Sequence, residues 1–192
     1  MVRLSAILGV FLLIPVLGRP APLPKDKPKT PPYFPSTVGT KWVFETSGGS
    51  EITEVIKAVE VKGTGTVVTV DREQSGQSLE LIYLVSDDGI SQLAVGTNIL
   101  DPPHRLLKLP HVAGTTWEDR HRSTAVYGPE RVEVPVGKFE AIRVEWEYPF
   151  LGGKMRHSEW YAPGVGPVRR SYRNPQGTEM VVVLKEFKPG RK

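Results

Sequence analysis

The alternation of apolar and polar positions has a period of two along most of the chain, which predicts strands. Lys41–Thr46 sends Trp42 and Phe44 one way and Lys41, Val43 and Glu45 the other. Glu51–Val61 is ambiguous, because Ile52, Val55, Ile56 and Val59 are also spaced like one face of a helix. Its β-branched content, between Gly48-Gly49 and Gly63, predicts a strand with a bulge instead. Thr64–Glu73, Ser78–Val85 and Ile90–Val95 continue as a meander that reverses at Ser75-Gly76 and Asp87-Asp88-Gly89. Asp101-Pro102-Pro103 interrupts the pattern, so Thr97–Leu109 is expected to be a long crossing loop. Its Ile99, Leu100, Leu106, Leu107 and Leu109 suit a flap over apolar space. Seven more strands follow, at Thr115–Glu118, Arg122–Tyr127, Arg131–Val134, Phe139–Tyr148, Met155–Tyr161, Val168–Arg173 and Glu179–Phe187. No segment combines a helical period with caps. The expected fold is all-β, with little helix. It is a wide curved antiparallel sheet or half-open barrel of about 11–12 strands, because a sheet this wide curls to hide its edges.

Two local devices organise this pattern. Pro163, Gly164, Gly166 and Pro167 make a fixed reversal between strands that carry Trp160 and Tyr161 on one side and Val168 and Tyr172 on the other. The other device occurs twice. Phe34-Pro-Ser-Thr-Val-Gly-Thr-Lys-Trp42 and Leu109-Pro-His-Val-Ala-Gly-Thr-Thr-Trp117 share an apolar residue, Pro, a small apolar residue, Gly, Thr and Trp at the same spacing. The echo predicts two half-sheets built alike, each opened by a tryptophan buried in an equivalent place.

Composition adds a compartment. Met1-Val-Arg3, the apolar Leu4–Leu17 and Val16-x-Gly18 have the form of a signal peptide over residues 1–18, with cleavage expected after Gly18. The run is short for a membrane span, so membrane contact is expected only through this segment if it is left uncleaved. Residues 19–35 form a Pro/Lys-rich linker, residues 36–188 a single β domain that Tyr33-Phe34 introduces, and residues 189–192 a basic tail. The chain has no cysteine, which excludes disulfides, thiolate metal sites, Cys nucleophiles and a lipid-modified N-terminal Cys. An exported protein without disulfides suits a bacterial envelope, periplasmic or extracellular. The formal net charge of +4 is modest, and no nucleic-acid-binding signature accompanies it.

Candidate chemistry is sparse. His157, Ser158 and Glu159 are triad residue types, but neighbours on a strand face opposite ways and cannot pair as nucleophile and base. The four histidines lack ligand-pair spacing, and Asp87-Asp88-Gly89 is a hairpin turn rather than a calcium loop. Glu145 and Glu147 share a strand face about 7 Å apart, a spacing open to glycoside chemistry but also the polar face of an ordinary half-buried strand. Arg169, Arg170 and Arg173, with Arg120 and Arg122, are either an anion-binding patch or a solvated face paired with Glu145, Glu147 and Glu159. No metal or other cofactor is implied.

Tyr33-Phe34-Pro35…Val38-Gly39-x-x-Trp42, Val134-Pro135-Val136-Gly137-x-Phe139-x-Ala141 and Trp160-Tyr161-Ala162-Pro163-Gly164-Val165-Gly166-x-Val168 together resemble exported bacterial proteins of unknown function. Their curved sheet is similar to that of the periplasmic lipoprotein carriers and their outer-membrane receptors. The resemblance covers Tyr33 to Phe187. The expected role, for the apolar face of Phe139–Tyr148 beneath the Thr97–Leu109 flap, is a non-catalytic binding or carrier module for an apolar or amphiphilic ligand. The alternative is a filled-core domain that docks on another envelope protein. For the binding role the expected ligand contacts are Trp146, Tyr148, Trp160, Leu106 and Leu107.

Overall fold

The computed structural model describes residues 32–119 and 122–191. The expected signal segment, residues 1–18, and most of the expected linker lie outside the described residues. Twelve strands follow one another. The first six are β1 (Lys41–Thr46), β2 (Glu51–Lys62), β3 (Gly65–Gln74), β4 (Gln77–Ser86), β5 (Gly89–Val95) and β6 (Asn98–Lys108). The second six are β7 (Thr116–Asp119), β8 (Arg122–Val134), β9 (Gly137–Phe150), β10 (Gly153–Ala162), β11 (Gly166–Arg173) and β12 (Glu179–Lys188). All belong to one antiparallel sheet in the order β6-β5-β4-β3-β2-β1-β12-β11-β10-β9-β8-β7, and no helix occurs among the described residues. The sheet is thus two six-stranded meanders joined back to back where β1 pairs with β12, and it curls into a nearly closed barrel.

The echo is a shared backbone device. In both copies the glycine takes positive φ, +80° at Gly39 and +85° at Gly114, in the left-handed region that side chains with a Cβ avoid. In the first copy Thr40 N donates to Thr37 O, Gly39 N to Ile56 O, and Ile56 N to Thr40 O. In the second copy Thr115 N donates to Val112 O, Gly114 N to Val126 O, and Val126 N to Thr115 O. The same three bonds hand the chain into β1 and into β7. The Pro163–Pro167 turn closes on the first copy: Trp42 Nε1 donates to Val165 O at 2.7 Å, and Gly164 N donates to Pro32 O at 2.9 Å. Gly164 and Gly166 both have positive φ there.

The core lies inside the barrel and runs through both halves. Trp42, Phe44, Ile56, Val68, Val70 and Leu81 from the first half, and Val126, Ile142, Val144, Tyr161 and Leu184 from the second, are fully buried. Phe34, at the end of the linker span, inserts among them, its ring 5.7 Å from that of Trp42 and 5.1 Å from that of Tyr83. Two local expectations are corrected. Thr97–Leu109 is not a crossing loop, because most of it is strand β6. The prolines are tolerated because β6 is an edge strand, and the pairing with β5 skips them: Ile99 pairs with Ala94, and the next pair is His104 with Gln92. Arg122–Tyr127 and Arg131–Val134 are not two strands but one, β8, which passes Gly128-Pro129 as a bulge between the pairs Tyr127–Arg143 and Glu130–Ala141. The bulge expected in the Glu51–Val61 segment falls between Ile56 and Ala58.

Candidate functional site

Cross-strand partners share a face, so the pairing register sorts every candidate residue to the inside or outside of the barrel. Glu145 and Glu147 are outside. Glu145 accepts from Arg143 at 2.9 Å and from Ser158 Oγ at 3.1 Å, and Glu147 accepts from Arg156 at 2.7 Å and Lys154 at 3.3 Å. Arg156 and Lys154 hold the Glu147 carboxyl below the usual range. These carboxylates form a charged ladder on the outer wall rather than a glycosidase pair.

Arg120 lies outside the described residues, and the described arginines do not form one patch. Arg169 is outside, its guanidinium 4.9 Å from the Trp160 ring, and Arg173 pairs with Glu179. Arg170 points inward and is buried, as is Glu159. Arg170 donates to Glu159 at 2.6 Å and through two nitrogens to Glu54 at 2.8 and 3.1 Å. Arg72 joins Glu54 from β3 at 2.7 Å, and Tyr161 Oη donates to Glu159 at 2.6 Å. Burial pushes the Glu54 carboxyl up, but Arg170 and Arg72 outweigh it and bring it down to about 2. Burial and the Glu159 carboxylate push the Tyr161 phenol well up, so it stays a donor. This network ties β2, β3, β10 and β11 together across the barrel interior.

Beside it, His157 lies between the rings of Trp146 and Tyr172, tilted against both, with centroids 4.0 and 4.2 Å away. Burial, with Arg170, Arg122 and Arg72 nearby, holds the imidazole pKa well below its ordinary value, so the ring is neutral at pH 7. Between these side chains and Phe34, Tyr83, Gln92 and Leu106 only about 100 Å³ remains open. The concave interior is therefore packed.

The larger space is at the mouth of the barrel. A cavity of about 570 Å³ is lined by Pro32, Tyr33, Phe34, Val85, Ser86, Asp87, Gly89, Ile90, Leu109, Pro110 and His111. Its walls are mostly apolar, and Tyr33 meets His111 edge-on at 6.0 Å across it. Phe34 and Leu109 are the first residues of the two echoed motifs, so the cavity sits where both copies begin. A second space of about 310 Å³ adjoins Leu109 and reaches Arg105, Lys108 and Trp117, at the seam between the two sheet edges β6 and β7.

The sequence-predicted contacts do not converge on the mouth cavity. Trp146 and Leu106 line the small inner space, and Tyr148 follows Trp146 on the same face of β9. Leu107 is fully buried opposite Ile90. Trp160 is on the outer wall, where its indole donates to Glu130. The residues that do line the mouth carry one signal in sequence, the repeated motif whose first positions are Phe34 and Leu109. Among the described residues, no group of three or more His, Asp or Glu side chains is arranged to hold a metal ion.

No family model and no curated protein matches the sequence. Two solved structures share the fold. A "putative lipoprotein" from Parabacteroides distasonis matches with a TM-score of 0.58 at 17% identity, over 83% of this chain and 100% of its own. A "putative exported protein with YmcC-like fold" from Bacteroides fragilis matches with a TM-score of 0.58 at 17% identity, over 82% of this chain and 99% of its own. The chain is thus similar in fold to bacterial exported and lipoprotein-type proteins, and the curved antiparallel barrel is that of the YmcC-like fold.

Proposed function

We propose that the protein is an exported envelope module that binds an apolar or amphiphilic small molecule in the cavity at the barrel mouth. The observation that carries this is the cavity itself: about 570 Å³ of mostly apolar space, within the range of small-molecule sites. Its placement supports the reading. The walls come from the N-terminal strap, the β4–β5 hairpin and the link from β6 to β7, so the sheet core need not move to admit a ligand. The binding role belongs to the mouth rather than the concave face, because packed side chains and the Glu54–Arg170–Glu159 network fill that face.

Titration with a fluorescent fatty acid tests the proposal. Saturable micromolar binding is expected, and Val85→Trp, which fills the cavity from its wall, removes it while circular dichroism stays unchanged. Absence of saturable binding, or binding that Val85→Trp leaves intact, overturns the proposal. The packed interior would then favour a domain that docks on another envelope protein.

A further inference from the structure

Buried side-chain nitrogens and oxygens are normally satisfied, so a concentration of unsatisfied ones points to a missing partner. Among the described residues, those without a hydrogen-bond partner are Trp117 Nε1, Asp119 Oδ2, Arg122 Nε and Nη2, Thr124 Oγ1, His157 Nε2 and Arg169 Nε. All but the last lie on one face. Trp117 pairs with Thr124, Thr124 with Trp146, and Trp146 with His157, so these four form a row across β7, β8, β9 and β10 on the inner wall. Asp119 and Arg122 pair with each other and continue the same face two residues further on. Thr124 is only 1% exposed, so water does not readily serve its hydroxyl.

The groups are mostly donors, and their geometry is selective. Nε and Nη2 are the two nitrogens on one edge of the Arg122 guanidinium, the edge that grips two oxygens of a single planar group. The other face of the site is aromatic, with the Arg122 guanidinium 4.7 Å from the Trp146 ring. The space of about 310 Å³ at the seam is lined by Trp117, Leu109, Arg105, Lys108 and Asp88, two cations against one carboxylate. It also shares Leu109 with the mouth cavity.

We propose that the inner wall of β7–β8 is a carboxylate-binding site built from Arg122, Trp117 and Thr124, and that the ligand of the mouth cavity is an amphiphile whose carboxylate head reaches it through the seam. This second part rests on the binding role proposed above for the mouth. Arg122 takes both carboxylate oxygens, and the Trp117 indole and Thr124 hydroxyl donate to them. A singly charged head fits better than a phosphate, because Asp119 on the same face repels a second negative charge. Burial lowers the Arg122 pKa, which a bound carboxylate would reverse.

The test is a titration of the ¹⁵N-labelled chain with dodecanoate, methyl dodecanoate and acetate, read at the tryptophan indole N–H signals and by tryptophan fluorescence. Trp117→Phe assigns the signal. Dodecanoate is expected to bind roughly tenfold more tightly than its ester, equivalent to about 1.4 kcal/mol, and to shift the Trp117 indole signal saturably. Acetate is expected to shift the same signal at higher concentration. Arg122→Gln abolishes both shifts, and Thr124→Val weakens them if Arg122→Gln disturbs the fold. Equal binding of acid and ester with the Trp117 signal unmoved overturns the carboxylate site while the mouth cavity stands. Failure of both long chains, with an Arg122-dependent shift by acetate, overturns the mouth cavity and the amphiphile while the carboxylate site stands. If neither acid moves Trp117, the site is overturned and Arg122 closes on Asp119 instead.

Discussion

The two halves of the barrel start alike and end differently. Gly39 and Gly114 set the same turn with the same three backbone bonds, and Trp42 and Trp117 follow at the same distance. The residue across from Trp42 is Glu54, and the residue across from Trp117 is Thr124. In the first half the tryptophan and the residue across from it are both engaged. Trp42 is fully buried with its indole on Val165 O, and Glu54 holds Arg72 and Arg170. In the second half Trp117 is half-buried, and both its indole and the Thr124 hydroxyl lack partners. The cause is position in the sheet. β1 is flanked by β2 and β12, whereas β7 has β8 on one side and an open edge on the other. The same backbone device therefore serves as a structural lock at the centre of the sheet and as a wall with unpaired polar atoms at its edge. The expectation that Trp42 and Trp117 are equally buried fails for this reason.

The largest way to break the lock is at Arg170. Arg170→Met leaves Glu54 buried with Arg72 alone and Glu159 buried with no ion-pair partner. Removing one partner of a buried ion pair costs about 3–5 kcal/mol, and here Glu159 loses its ion-pair partner and Glu54 one of two, so a loss near 5 kcal/mol is expected in chemical denaturation. A loss below about 1 kcal/mol would mean that the network does not hold the two halves together. The tryptophans come next. Trp42→Ala should cost about 3–5 kcal/mol by emptying a closed core site. Trp117→Ala, half-exposed on an edge strand of four residues, should cost about 1–2 kcal/mol. Equal losses would contradict the contrast between lock and open wall.

Acid sharpens the same contrast. The Glu54 carboxyl has a folded pKa of about 2, below its ordinary value of 4.5. A depressed carboxyl pKa gives stability that is full above the unfolded value and lost as pH falls through the folded one. The window is therefore about pH 4.5 down to about pH 2, and the size is on the order of 3 kcal/mol. Denaturation midpoints measured across this window should fall in the parent and fall less in Glu54→Gln, which starts from lower stability. A parent curve that is flat over this range would show that Glu54 is not ionised against Arg170 and Arg72.

The strands were legible because alternation is local: each needs only its own few residues to show an apolar face. β6 was hidden because two prolines remove local evidence of pairing, and only its edge position explains how it pairs at all. The ionic network was half legible. Parity puts Arg170 with Tyr172 and Glu159 with His157 on one face. That this face is the inside, and that Glu54 lies 116 positions from Arg170 yet within 2.8 Å of it, depends on how the whole sheet curls. The echo was legible as a pattern, whereas the meeting of Phe34 and Leu109 across one cavity appears only once both meanders close.

The smallest expected effect is the sharpest test of the open wall. Thr124 and Val are nearly the same shape, so Thr124→Val removes a hydroxyl and little else. If Thr124 Oγ1 has no partner in the free protein, it bears a desolvation cost that a methyl group does not, and an unsatisfied buried hydroxyl costs about 1–3 kcal/mol. Thr124→Val is therefore expected to raise stability by about 1 kcal/mol without ligand. The sign is the informative part. In the locked half the corresponding change, Glu54→Gln, weakens ionic contacts that are in use and must destabilise. Opposite signs at two equivalent positions would show that one copy of the device is kept closed for folding, while the other gives up some stability to keep its donors free. A loss of stability in Thr124→Val would mean that the hydroxyl is already satisfied inside the protein, and the wall would then be closed like its counterpart.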